Sequence, residues 1–156
     1  MGRGPLVPDD FVVPRELRTD AFRLEPLGPQ HNDADLAAWM SSIEHIQSTP
    51  GFAGHGWPPD QGFTAEANLV DLLRHADEFE RRVAFAYTVL GANSDGSDVI
   101  GCLYLDPPKD PGGRQGSVDV RSWVRADHAD LDAVLRRVVR DWLAEAWPFD
   151  EVTYAG

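Results

Sequence analysis

Apolar and polar residues alternate over 21–25 (AFRLE) and stop at Pro26, which predicts a short strand. From Asp33 the spacing changes. Leu36, Trp39, Met40, Ile43 and Ile46 recur at steps of three and four and predict one helix, capped by Asn32 or Asp33. Residues 48–63 (STPGFAGHGWPPDQGF) hold three prolines and four glycines and predict a loop. Thr64 is a suitable N-cap for a second helix with Glu66 in its first turn, and Leu69, Leu72, Leu73, Ala76 and Phe79 form its apolar face. Residues 83–90 (VAFAYTVL) read as a strand buried on both faces. Residues 99–105 (VIGCLYL) and 118–124 (VDVRSWV) read as the next two, and the turn-rich segments between them predict an antiparallel meander.

The strongest helical signal follows. Leu131, Val134, Leu135, Val138, Val139 and Trp142 trace one stripe, with Asp127 as the expected cap. Asp132–Arg136 and Arg137–Asp141 are i,i+4 pairs expected on the solvent side. Residues 151–154 (EVTY) read as a last strand. Residues 1–18, with three prolines and no clean period, read as an N-terminal arm on a single domain spanning 19–156.

Composition narrows the function classes. The 156 residues suit one α/β domain with one core, and 42% hydrophobic residues is ordinary globular usage. No apolar run approaches the roughly 20 residues that span a bilayer. The N-terminus lacks the apolar stretch of a secretory signal, and Cys102 is the lone cysteine, so a cytoplasmic location is expected. Asp and Glu outnumber Lys and Arg 26 to 14, a net charge of -12 with no basic cluster. That argues against nucleic acid and anionic lipid as partners and suits a cationic one such as an amine. The five histidines show no metal-ligand spacing, so no metal site is expected, and neither GxSxG nor a P-loop occurs. Cys102 lies inside an apolar strand and reads as a core residue.

The order strand, helix, helix, three strands, helix, strand, with DVIGCLYL and VDVRSWVRADH before a long amphipathic helix, resembles the GNAT acyl-CoA N-acyltransferase family over about residues 20–155. The resemblance implies an α/β (α+β) fold: a mostly antiparallel mixed sheet flanked by helices. The chain stops at Gly156, before the further helix and two strands usual in the family. It also implies transfer of an acetyl group from acetyl-CoA to a small amine or peptide amine. The pantetheine arm would lie along the backbone of the fourth family strand at Trp123 and Val124, and the pyrophosphate on the start of the next helix. Asp119 matches a common family glutamate and would take a proton from the amine, directly or through water; the alternative is a solvated strand residue paired with Arg121 or Arg114. Phe52, His55, Trp57 and Phe63 would border the acceptor, or else pin the loop to the domain.

The chain departs from the family at the pyrophosphate loop. Across Arg125, Ala129, Asp130, Leu131, Asp132, Ala133 and Val134, Ala129 replaces the family Arg or Gln, Asp132 the glycine and Val134 the final small residue. A carboxylate about 4 Å from a phosphate costs about 1 kcal/mol in water and about 4 at an effective dielectric of 20. Arg125 and His128 are the nearby groups that could compensate; the plainer reading is that these aspartates cap and polarise the helix. The alternative function is therefore a catalytically degenerate GNAT-derived module that binds or oligomerises without using acetyl-CoA. A last strand carrying Val152 and Tyr154 points to a twofold homodimer.

Overall fold

The computed structural model describes residues 5–54, 56–93, 95–109 and 116–155. Six strands form one sheet in chain order: β1 (Leu17–Arg18), β2 (Phe22–Pro26), β3 (Phe85–Gly91), β4 (Val99–Asp106), β5 (Ser117–Val124) and β6 (Glu151–Tyr154). All neighbours pair antiparallel except β5 and β6, which run parallel. The meander expected from the alternating segments is β3–β4–β5. Gly101 permits its tight spacing, because a Cβ there would collide with the Trp123 carbonyl on β5.

Side chains alternate across the sheet and build two cores. On one face Phe85, Leu103, Leu105 and Val120 pack beneath α4 (Leu131–Ala146), whose Leu135, Val139 and Leu143 are fully buried. The N-terminal segment completes this layer. Val7 is buried, the Arg82 guanidinium binds the carbonyls of Pro8 and Phe11 (2.6 and 2.7 Å), and the Tyr87 hydroxyl binds that of Pro14 (2.6 Å). The other face is covered by α1 (Asn32–Met40), α2 (Ile43–Gln47), α3 (Ala65–Glu80) and the loop before α3, around Trp39, Phe52, Leu72, Tyr104 and Trp123.

Several details differ from the sequence reading. The first helix divides into α1 and α2 at Ser41 and Ser42. The Ser41 hydroxyl donates to the Ala38 carbonyl (2.7 Å), and the Ser42 hydroxyl accepts the Ala126 amide (2.8 Å), so both serines compete with helical bonding. The buried side of α1 carries Asp35, Ala38 and Trp39, while Met40 faces outward, and Asn32 points to α3 instead of capping. On α3, Thr64 caps as expected by accepting the Ala67 amide. Asn68 is buried there because its carbonyl accepts Trp39 Nε1 (3.0 Å) and its amide donates to Asn32 Oδ1 (2.9 Å); Leu73 is left half exposed. On α4, Asp127 sits in a 3-10 turn ahead of the helix, and Arg136 is buried, not solvent-facing.

Candidate functional site

The parallel pairing of β5 with β6 is short: Ser117–Val120 match Glu151–Tyr154, and β5 runs on to Val124 past the last residue of β6. The Arg125 amide donates to the Ile100 carbonyl on β4, so backbone alternation turns the peptide groups of Ser122 and Val124 to the side of β5 away from β4. Trp123 therefore corrects the expected backbone contact. Its peptide group faces β4, and its buried indole donates to the Tyr104 hydroxyl (3.0 Å). Two contacts tie down the end of β6. Ser122 Oγ and the Tyr154 hydroxyl share a 2.6 Å hydrogen bond, and Arg136 reaches from α4 to the Ala155 carbonyl.

A cavity of about 500 Å³ lies beside β5 and the end of β6, on the face opposite α4. Asp106, Asp119, Arg121, Trp57, Gly51 and Thr153 contribute to its wall. Asp106 and Asp119 are direct cross-strand partners, and Arg121 is two residues along β5 on the same face. Asp119 accepts the Lys109 backbone amide (3.0 Å). Arg121 turns to Asp106 (3.7 Å) and lies over the Phe52 and Tyr104 rings (5.0 and 5.2 Å), so it is not the partner of Asp119; Arg114 lies outside the described residues. Burial raises the Asp106 carboxyl above its ordinary value against the pull of Arg121. At Gly51 the backbone is left-handed (φ +95°), and an added Cβ would press on Arg121 at 3.1 Å.

The aromatic loop divides in role. Trp57 lines this cavity and packs at a tilt against Trp39 and Phe52 (5.4 and 5.9 Å), whereas Phe52 is buried and Phe63 stands edge-on to Trp39 (5.4 Å). Phe52 and Phe63 thus pin the loop, Trp57 faces the cavity, and His55 lies outside the described residues.

Behind Trp57, Asp106 and Arg121 lies a second chamber of about 130 Å³, also lined by Asp35, Asn68 and His75. Burial pushes the Asp35 carboxyl up to about 6 and holds the His75 imidazole down at about 4. Neither Asp35 nor Asp106 was singled out in the sequence. Asp35 sits on a helix face that reads as polar by spacing, and the role of Asp106 depends on strand register.

The start of α4 carries charge of the wrong sign for a phosphate. Asp130 occupies the N-cap position with helical backbone angles and makes no capping bond; Ala129 and Ala133 are exposed, and Leu131 and Val134 turn to the core. Arg125 is held by both oxygens of Asp127 (3.0 and 2.7 Å) and lies 3.6 Å from Asp98. His128 also contacts Asp127 (3.0 Å), and these two partners keep the Asp127 carboxyl well below the usual range. The expected compensators are thus occupied by carboxylates of this chain. Asp132 pairs with buried Arg136 (3.0 Å). Among the described residues no cluster of His, Cys, Asp or Glu is placed to hold a metal ion, and no helix is long and apolar enough to cross a membrane.

The architecture is an α/β fold that comparison with solved structures identifies as the GNAT fold. The Vibrio fischeri ribosomal-protein-S5-alanine acetyltransferase superposes with a TM-score of 0.61 at 16% identity, over 84% of this chain and 68% of its own. RimL, the ribosomal L7/L12 alpha-N-protein acetyltransferase in complex with coenzyme A, gives 0.66 at 10% identity over 88% and 72%. The GNAT domain of S. lividans PAT gives 0.53 at 12% identity over 87% and 77%. No family model and no curated protein sequence matches the chain. The chain has the fold of the GNAT acetyltransferases, at a sequence distance that leaves its own activity to the site.

Proposed function

We propose that this chain is a GNAT-type N-acetyltransferase for a primary amine, with an acetyl donor held weakly. The observation that carries this reading is the placement of Asp106, Asp119 and Trp57 around one cavity beside β5 and the end of β6. Paired carboxylates and an aromatic face suit an ammonium group, in keeping with the net charge of -12. Two of the structural neighbours named above are ribosomal-protein acetyltransferases, which supports an amine acceptor in general. Asp119 is the group to accept the proton that an attacking amine loses, directly or through one water, as the nitrogen bonds to the acetyl carbonyl carbon and the thiolate leaves. On the donor side, the peptide groups of Ser122 and Val124 suit a pantetheine arm. The helix start, with Asp127, Asp130 and Asp132, does not suit a pyrophosphate.

That misfit favours a second reading, a GNAT-derived binding module that does not use acetyl-CoA. Two expectations from the sequence join these proposals. A homodimer would use the outer edge of β6, where Val152 is exposed, and a reducing cytoplasm suits the buried thiol of Cys102. The deciding assay follows acetyl transfer from acetyl-CoA to a panel of primary amines by mass spectrometry. Transfer that is lost in Asp119→Asn supports the enzyme. No transfer to any amine at millimolar acetyl-CoA supports the module.

A further inference from the structure

The 130 Å³ chamber has its own chemistry. It shares Trp57, Asp106 and Arg121 with the 500 Å³ cavity, so the two are an outer and an inner compartment of one cleft. Most charges in the inner compartment already have partners. Arg74 contacts Glu78 (3.2 Å) and Asp71 (3.8 Å), and Arg121 contacts Asp106 (3.7 Å) and lies over Phe52 and Tyr104. His75 is held neutral by burial near pH 7 and supplies no positive charge.

Asp35 is different. It is 4% exposed, its hydrogen-bond partner is the neutral amide of Asn68 (3.2 Å), and among the described residues it forms no ion pair. A carboxylate removed from water without a cation beside it is costly and is relieved by any cation that enters the compartment. Trp57, at the junction, offers an aromatic face along which methylene groups can lie.

We propose that the inner compartment receives a second cationic group of the acceptor, making the acceptor a small diamine with one amine beside Asp119 and the other held by Asp35. The proposal rests on the reading of the outer cavity as an amine site. It makes Asp35 a specificity-determining residue with no part in the bond-forming step.

Calorimetric titration without any acetyl donor tests this, with 1,5-diaminopentane and pentylamine as probes. The diamine should bind about tenfold or more tightly than the monoamine. Asp35→Asn, which preserves volume and a contact with Asn68, should abolish that preference and leave pentylamine binding unchanged.

A pH series on the unaltered protein covers the case in which the variant fails to fold. The charged and titratable groups facing Asp35 are Asp71, Arg74 and His75 from α3, Cys102, Tyr104 and Asp106 from β4, and Arg121 from β5. Asp106 borders both compartments and affects both probes, so the ratio of the two affinities reports the inner compartment, where Asp35 is the carboxylate without an ion-pair partner. That ratio should rise between about pH 5 and about pH 7 as Asp35 ionises near 6. Pentylamine binding with no diamine preference, or a preference that survives Asp35→Asn, overturns this inference alone. Absence of binding by both amines overturns the amine-site reading together with it.

Discussion

Asp130 and Asp132 are equivalent in the sequence as acids in a phosphate-binding position, yet the structure gives them opposite roles. Asp130 is exposed at the helix start and makes no capping bond. Asp132 carries the charge partner of Arg136, whose side chain is 7% exposed and lies 5.4 Å over the Tyr154 ring. Breaking a buried ion pair by removing one partner typically costs about 3–5 kcal/mol, because the other charge stays buried and uncompensated. Asp132 keeps 28% of its side chain in water, so the expected loss for Asp132→Asn is about 2–3 kcal/mol. Asp130→Asn should change stability by no more than about 0.5 kcal/mol. Urea denaturation followed by far-ultraviolet circular dichroism measures both. For a domain whose total stability is about 5–15 kcal/mol, the Asp132 loss is a large shift in midpoint. Equal stability of the two variants would show that Asp132 does not hold Arg136 in solution. The donor cradle would then be free to rearrange around a phosphate.

Leu135 is fully buried under the sheet and Val138 only half buried, so Leu135→Ala should cost about 2–5 kcal/mol and Val138→Ala less than about 1.5; reversed costs in the same denaturation assay would place α4 on its wrong face. Asp35 and His75 should give opposing pH dependences. The raised Asp35 carboxyl adds stability as pH falls from about 6 toward about 4, whereas the depressed His75 imidazole loses stability as pH falls from 6.5 toward about 4, each by up to about 3 kcal/mol. Asp35→Asn should therefore convert a nearly flat melting profile between pH 4 and pH 6.5 into one that drops steeply with acid, and an unchanged profile would contradict the burial of Asp35. Asp119→Asn should lower turnover at saturating amine about 10²–10⁴-fold with melting nearly unchanged; full turnover would remove Asp119 as the base.

The elements were legible because their patterns are local. Thr64 capping α3, the β3–β4–β5 meander and the stripe of α4 follow from period and turn chemistry alone. Two of the misreadings involve polar side chains whose partners are distant in sequence. Asn68 is buried because Trp39 needs an acceptor, and α1 ends where Ser42 meets Ala126, 84 residues away. The site shows the same division. Asp119 and Trp57 could be picked out from the chain, but the pairing of Asp119 with Asp106 depends on cross-strand register, and Arg125 is engaged by Asp127 only once the turn before α4 forms. Asp35 has no signal in the sequence, because an aspartate in a helix reads as solvated until the cavity beside it is seen.

Calorimetric titration of the unaltered protein with acetyl-CoA tests the central claim, a GNAT fold with an amine cavity beside an acidified donor cradle. The account predicts weak binding, with Kd above about 100 μM, that tightens about tenfold in Asp130→Asn as one carboxylate is removed from the helix start. Low-micromolar binding that Asp130→Asn leaves unchanged would contradict it.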